Sequence, residues 1–398
     1  MAPYKFKRYF SGVSKNTAWL ACASLFADIS TEMLYPVLPV FLTQTLHASG
    51  AAVGLIEGLA QATQNIAQGF SGWLADKLHR HKSIALAGYT AAAVAKPLIG
   101  LSTGWPGVLG ARFLDRFGSG VRSAPRDAMV AASVDEPHRG KAFGLEGIGD
   151  NAGAFIGPLL AVLLLYTLHV GIRSIFTLAL IPGLLAVLMI ALVKTRPDRS
   201  PASAKIKLAR VRLPRAYWKY LLATAVFGIG NASNSFLILQ TQDVGASLAT
   251  TILVYAAFNL VAALISYPAG FLSDRIGRRN LLLAAFGVFC VTCVGFAITR
   301  NFAVIAALFV GYGLYQGTFR AVGKALASDL VPHRQRASGI GWYSTTVGLS
   351  GLVASIVAGL LWDHIGHAAV FIYAASFALA GGVALWILTD KPPRPGGA

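Results

Sequence analysis

The chain has 398 residues, 55% of them hydrophobic and 13% charged, with a mean hydropathy of +0.61. That balance belongs to a polytopic membrane protein and excludes an ordinary soluble domain. The formal net charge of +18 would suit a polyanion binder, but the bases fall mostly in alternate loops, so nucleic acid is not an expected partner.

Apolar runs long enough to cross a bilayer, which takes about 20 residues each, lie near residues 18–45, 50–75, 83–103, 107–133, 140–168 and 172–193. A second set lies near 216–242, 248–273, 280–299, 302–328, 337–362 and 367–388. The spacing predicts an all-α membrane protein with twelve transmembrane helices in two six-helix bundles, residues 1–193 and 216–398. Residues 194–215 form a cytoplasmic linker between them. From Lys194 to Lys219 nine bases stand against one acid, Asp198, which suits a segment lying on anionic lipid, with a short surface helix around Lys205–Val211. The first run begins near Ala18 and is long enough to stay as a helix, so no cleaved signal is expected.

Loop bases such as Lys77, Arg80, Lys82, Arg139, Lys141, Arg275, Arg278 and Arg279 lie on the side of the N-terminus, whereas the opposite loops offer Arg173 and Arg300. This asymmetry places both termini in the cytoplasm, and the cell's inner (plasma) membrane is the expected location. The three cysteines, Cys22, Cys290 and Cys293, all lie in apolar runs. Cys290-x-x-Cys293 supplies half of a usual zinc site, so neither a metal nor a disulfide is expected. Phosphate-cradling loops, nucleophile elbows and zinc helices are absent from the sequence, so neither an enzyme nor a cofactor is expected.

Charges inside the runs carry the functional reading, because each costs at least about 2.5 kcal/mol near the bilayer centre. The first run holds Asp28 and Glu32, an i,i+4 pair, followed by Pro36 and Pro39, which weaken the helix beyond them. The second has Glu57 and the third Lys96, expected from their depth to form a structural pair. The fourth holds Arg112, Asp115, Arg116, Arg122, Arg126 and Asp127. In the fifth, Glu146 and Asp150 match Arg126 and Arg122 in depth and are read as an architectural ladder. Asp28, Glu32, Arg112, Asp115 and Arg116 remain as the proton-coupling set. A carboxyl near an arginine whose company changes during a transport cycle can take up and release a proton. A permanent Glu32–Arg116 bridge is the plain structural alternative.

The second half is poorer in charge. Asn231, Asn234, Tyr255, Asn259, Tyr312, Tyr315 and Gln316 give a polar, partly aromatic wall suited to a small amphipathic organic substrate. Arg320 and Lys324 add two bases that suit either a gate or an anionic substrate.

Two loop segments match in kind: Gly72-Trp-Leu-Ala-Asp76-Lys77-Leu-His79-Arg80 in the first half, and Gly270-Phe-Leu-Ser-Asp274-Arg275-Ile-Gly277-Arg278-Arg279 in the second. Pro137-His-Arg-Gly-Lys-Ala-Phe-Gly144 likewise recurs as Pro332-His-Arg-Gln-Arg-Ala-Ser-Gly339. The paired loop pattern resembles the signature of the major facilitator superfamily, Gly-x-x-x-Asp-Arg/Lys-x-Gly-Arg/Lys-Arg/Lys. The second copy fits fully, and the first has His79 in place of the second glycine. The resemblance implies pseudo-symmetric bundles with helices 1, 4, 7 and 10 around a central cavity, and secondary transport by a monomer.

Arg112-Phe-Leu-Asp-Arg-Phe-Gly118-Ser-Gly120 is similar to the family's fourth-helix motif, whose arginine is associated with proton transfer. Here Asp115 and Arg116 stand where an uncharged residue and a glycine are usual, which leaves the coupling role open between Arg112 and Arg116. Gly144, Gly153, Gly157 and Pro158 resemble the antiporter motif of drug/proton exchangers, except that Ala161 and Val162 replace its last two glycines. The resemblance implies proton-coupled export of small organic compounds. Two alternatives stand beside it: an organic-anion carrier using Arg112, Arg116, Arg320 and Lys324, and a membrane sensor or partner-binding protein that keeps the fold without the transport cycle.

Overall fold

The computed structural model describes residues 14–135, 139–194, 213–332 and 335–389. These residues are helical almost throughout, with no strand among them. Helix α1 covers Lys15–Glu32. It starts where the hydroxyl of Ser14 accepts the Thr17 N–H at 3.1 Å, and stops where Pro36 has no N–H to offer the carbonyl of Glu32. The span resumes as Leu38–Val40 and a π-turn at Phe41–Thr45. Then follow α2 (Gly50–Leu78), α3 (His81–Leu101), α4 (Trp105–Ala132), α5 (Arg139–Val162) and a two-part α6 (Ile172–Leu178 and Leu180–Leu192). The second series is a two-part α7 (Arg215–Gly230 and Ser235–Asp243), α8 (Leu248–Ile276), α9 (Arg278–Ile298), α10 (Phe302–Asp329), α11 (Arg336–His364) and α12 (His367–Leu388).

Nine spans among the described residues are long and apolar enough to cross a membrane by composition alone. Helices α1, α2 and α4 are not among them. Among them they hold Asp28, Glu32, Glu57 and the bases and acids of α4, so the shortfall marks where apolarity gave way to chemistry. The linker segment 195–212, including the surface helix expected around Lys205–Val211, lies outside the described residues.

Contacts group the chain into two units. One takes the chain up to Phe41 and from Ile66 into the linker; the other takes Leu42–Asn65 and the chain beyond the linker. Helix α2 therefore contributes its first half to the second unit and its second half to the first.

Small residues set the packing of the first unit. A Cβ on Gly149, Gly153 or Gly157 of α5 would come within 2.4–2.9 Å of α1 backbone at Ala21, Leu25 and Ile29, so α1 and α5 touch backbone to backbone along this stripe. Helices α3 and α4 meet the same way, Gly88 against the backbone of Gly118 and Arg122, and Gly118 against that of Gly88 and Ala92. Helix α6 is held to α1 by the hydroxyl of Ser30, which donates to the carbonyl of Ala179 at 2.6 Å.

The second unit is filled by rings. Phe227 stacks on Phe286 at 3.8 Å between centroids, and Tyr315 lies 4.6 Å from Phe289 and 5.7 Å from both Phe227 and Phe319. The first half of α2 packs here against α11, with a Cβ at Gly54 reaching the Ser355 carbonyl and one at Gly359 the Gly50 carbonyl. The carboxylate of Asp363 accepts the N–H groups of Gly50 and Ala51 at 2.6 and 2.8 Å, satisfying the otherwise unpaired start of α2.

The sequence repeat is visible in detail. Lys82, near the start of α3, donates to the carbonyls of Ala191 and Val193 at the end of α6, at 2.8 and 2.7 Å. Arg279, the second residue of α9, reaches the carbonyls of Leu385 and Trp386 at the end of α12. A base at the same place in each unit thus caps the last helix of its six.

Candidate functional site

The intramembrane charges of the first unit converge on α4. Counted along its length, Arg112, Asp115, Arg122 and Arg126 fall at intervals of three, seven and four residues, which keeps them on related faces of one helix. Asp115 is fully buried and surrounded by bases: Arg112 Nη1 at 2.8 Å, Lys96 Nζ at 3.5 Å and Arg116 Nε at 3.7 Å. The guanidinium groups of Arg112 and Arg116 also lie over the ring of Tyr35, at 5.6 and 6.0 Å. Lys96, expected to pair with Glu57, is thus paired with Asp115, and Glu57 is buried in the half of α2 that groups with the second unit. The close passage of α3 and α4 at Gly88 and Gly118 is what brings Lys96 within reach.

One helical turn and more further along, Arg122 Nη2 stands 3.7 Å from the carboxylate of Asp28 on α1, and its guanidinium lies 4.5 Å over the ring of Tyr89. Depth alone had matched Arg122 with Asp150; the structure gives it Asp28 instead. Arg126 takes the α5 acids, with Glu146 at 2.9 Å and Asp150 at 4.0 Å, and also holds Asp127 at 2.9 Å. Ser24 of α1 closes this group by donating to Glu146 at 2.7 Å and accepting from Arg126 at 3.0 Å. The expected α4–α5 ladder is therefore present through Arg126 and Glu146, and its other rung is replaced by an α4–α1 pair.

Asp28 differs from Asp115 in access. Its side chain keeps 21% of its surface exposed, whereas that of Asp115 keeps none. It also sits on the glycine seam, since a Cβ at Gly153 would lie 2.8 Å from the Cβ of Asp28. Glu32, the last residue of α1, is half-buried one turn along, where Gly157 meets the backbone. Gly144 has open space around it, so the tight part of the α5 stripe is Gly149, Gly153 and Gly157, followed by Pro158. Gly149 is the member that motif matching missed; its four-residue spacing from Gly153 was the available signal.

In the second unit, Asn231 and Asn234 flank the break in α7 between Gly230 and Ser235 and are half-buried, as are Asn259 and Gln316. Tyr255, Tyr312 and Tyr315 are buried among the rings, Tyr312 lying 5.3 Å from Tyr315 and both Tyr255 and Tyr312 packed on Phe258. Their position makes them first of all packing residues. Arg320 and Lys324 are exposed on the second half of α10.

The two loop segments also correspond. Lys77 lies over the ring of Trp73 at 4.9 Å and Arg275 over Phe271 at 4.3 Å, each base stacked on an aromatic one turn earlier. Both turns use positive φ, at His79 (53°) and Gly277 (90°). His79 lies in the small left-handed region open to side chains, and Gly277 outside it. Gly72 closes on the Cβ of Ala124, while Gly270 has open space. Arg278 pairs with Asp329 at the end of α10 at 2.9 Å and with Asp274 at 3.6 Å. The side chain of Asp76 lies outside the described residues.

The comparisons with known proteins agree with this architecture. The sequence profile of the Major Facilitator Superfamily matches residues 20–241 and 220–398. An uncharacterised MFS-type transporter of Methanocaldococcus jannaschii is 32% identical over 94% of this chain and 94% of its own length. A probable 4-methylmuconolactone transporter of Cupriavidus pinatubonensis is 30% identical over 89% of this chain and 85% of its own. Among solved structures, the nucleoside transporter NupG superposes with a TM-score of 0.78 at 14% identity, covering 94% of this chain and 100% of that one. With its twelve helices, its repeated loop turns and a profile match over nearly its whole length, the chain belongs to the major facilitator superfamily of membrane transporters.

Proposed function

We propose that the protein is a proton-coupled exporter of small organic compounds, in the manner of drug/proton antiporters, working from the inner membrane with both termini in the cytoplasm. The observation that carries this reading is the Asp28–Arg122 pair: a partly exposed intramembrane carboxylate, 3.7 Å from its base, set on the glycine seam between α1 and α5. Protonating Asp28 removes the charge that Arg122 balances, and the small-residue seam is the kind of contact along which two helices can shift. Glu32, one turn along α1, is the second acid of this device. Asp115, sealed among three bases, serves to hold Lys96, Arg112 and Arg116 in place.

The substrate contact set in this reading is the half-buried Asn231, Asn234, Asn259 and Gln316, with Arg320 and Lys324 at its edge. The relative named for 4-methylmuconolactone supports a small organic solute. The exposed bases Arg320 and Lys324 favour a second reading, an organic-anion carrier; lipophilic cations compete for transport in the first case and organic anions in the second.

Reconstitution into vesicles with an imposed pH gradient and a substrate library tests the proposal. Export-direction flux driven by the gradient, lost in Asp28→Asn and Glu32→Gln, is the expected result. Gradient-driven flux retained in both variants removes these acids from the mechanism.

A further inference from the structure

The first unit holds a small, partly open cavity of about 10 Å³, lined by alanines of α1, α3 and α6 and by Tyr89, Lys96 and Arg122. That volume suits one occupant of about the size of a water molecule. The polar groups around it are unusually short of partners. Nε and Nη1 of Arg122 and the hydroxyl of Tyr89 are buried with no hydrogen bond, in residues only 8% and 2% exposed. The ammonium of Lys96, itself 2% exposed, has only long contacts, 3.5 Å to Asp115 and 3.4 Å to the Ala92 carbonyl. Buried donors left in this condition cost on the order of 1–3 kcal/mol each, more when charged.

The second unit shows a different solution at the same place. Helices α3 and α9 have equal lengths, as do α4 and α10. Counted from the helix starts, Tyr89, Ala92 and Arg122 correspond to Phe286, Phe289 and Phe319. There Phe286 and Phe319 lie 6.0 Å apart and Phe289 fills the side where Ala92 leaves room. The first unit keeps the space and lines it with donors.

We propose that this cavity binds a small monovalent anion of halide size, held by Nε and Nη1 of Arg122, the Lys96 ammonium and the Tyr89 hydroxyl. A water molecule accepts from two of these donors at most. A halide accepts from all of them. The charged side chains that line the cavity are both bases, Lys96 and Arg122, and the acids beside them, Asp115 and Asp28, stand at 3.5 and 3.7 Å. Asp28 meets Arg122 through the remaining nitrogen at 3.7 Å, so the anion and Asp28 share one guanidinium without competing for the same atom. The inference concerns the resting fold of the first unit and stands apart from the proton-coupling reading.

The test uses full-length protein purified in detergent in a gluconate buffer and titrated with sodium chloride or bromide at constant ionic strength. Wild type should gain about 2–4 °C in melting temperature with a saturating dependence on halide, relative to gluconate. Tyr89→Phe should raise the halide midpoint several-fold, and Ala92→Leu, which fills the space and keeps every charge, should remove the response. Should Ala92→Leu fail to fold, crystals of wild type grown in bromide decide the matter, with an anomalous peak expected between Arg122 and Lys96. Melting in chloride or bromide no different from gluconate, an Ala92→Leu protein that responds like wild type, or a bromide map empty at this place would each overturn the proposal.

Discussion

Helices α3 and α4 of the first unit and α9 and α10 of the second match in length and order, yet they bury opposite chemistry. Where α4 places Arg112, Asp115 and Arg122, α10 places Phe309, Tyr312 and Phe319; where α3 places Tyr89 and Lys96, α9 places Phe286 and Cys293. Both sets are buried. The spacing between the helices follows the side chains. Gly88 and Gly118 let α3 and α4 touch through their backbones, while at the second of those places α10 carries Tyr315, whose ring is packed among Phe227, Phe289 and Phe319. A buried ion cluster is expensive and positions its members narrowly, whereas stacked rings simply add stability. The contrast teaches that one topology has been divided into a unit that holds charges in place and a unit that holds itself together.

The strongest way to break this comparison is to remove the acid at the centre of the charged core. Asp115→Asn removes the charge of the carboxylate that Lys96, Arg112 and Arg116 share, and is expected to cost about 3–5 kcal/mol. The readout is loss of the monodisperse peak on size exclusion after detergent extraction; adding Lys96→Met should restore part of it. In the second unit Tyr315→Ala should cost a similar 3–5 kcal/mol through the cavity it opens. Unlike the first, that loss should be indifferent to salt, which melting curves at low and high ionic strength would show.

Gly153→Ala comes next, at about 1–3 kcal/mol, because the new methyl meets the Leu25 carbonyl and α1 must move away. Pairwise distances between labels on α1 and α5 should lengthen, and unchanged distances would mean that the seam has slack. Asp28→Asn is expected to shift stability by less than about 1 kcal/mol, since the pair is long and partly exposed, while reducing gradient-driven flux at least tenfold. A large stability loss with flux preserved would file Asp28 with the structural ions instead. The smallest effects belong to the caps: Lys82→Ala and Arg279→Ala should each cost about 1 kcal/mol, and equal costs would sharpen the correspondence between the two units.

Much of this was legible in the residues. The twelve spans and the repeated loop turns follow from hydropathy and motif, because a bilayer imposes length and apolarity on every crossing segment. The end of α1 was foreseeable from Pro36. Partners inside the membrane were harder. Depth along a helix predicts which charges lie at one level, and it correctly linked Glu146 with Arg126. Azimuth and helix neighbourhood then decide among candidates at that level, and these depend on packing. So Lys96 found Asp115 through the Gly88–Gly118 contact, and Arg122 found Asp28. Polarity marks the tyrosines of α8 and α10 as a candidate substrate wall; it does not foretell their burial among phenylalanines, which follows because a ring has far more apolar surface than its hydroxyl has polar surface.

The division of α2 has a practical consequence for anyone cutting the polypeptide. A fragment beginning after the linker would lack Leu42–Asn65, leaving the Asp363 carboxylate without the two amides it grips and Ser355 and Gly359 without the helix that lies on them. Expressed alone, such a fragment should be prone to aggregation, and supplying the missing piece in trans should rescue it. The second six helices are therefore complete only when borrowing a length of the first.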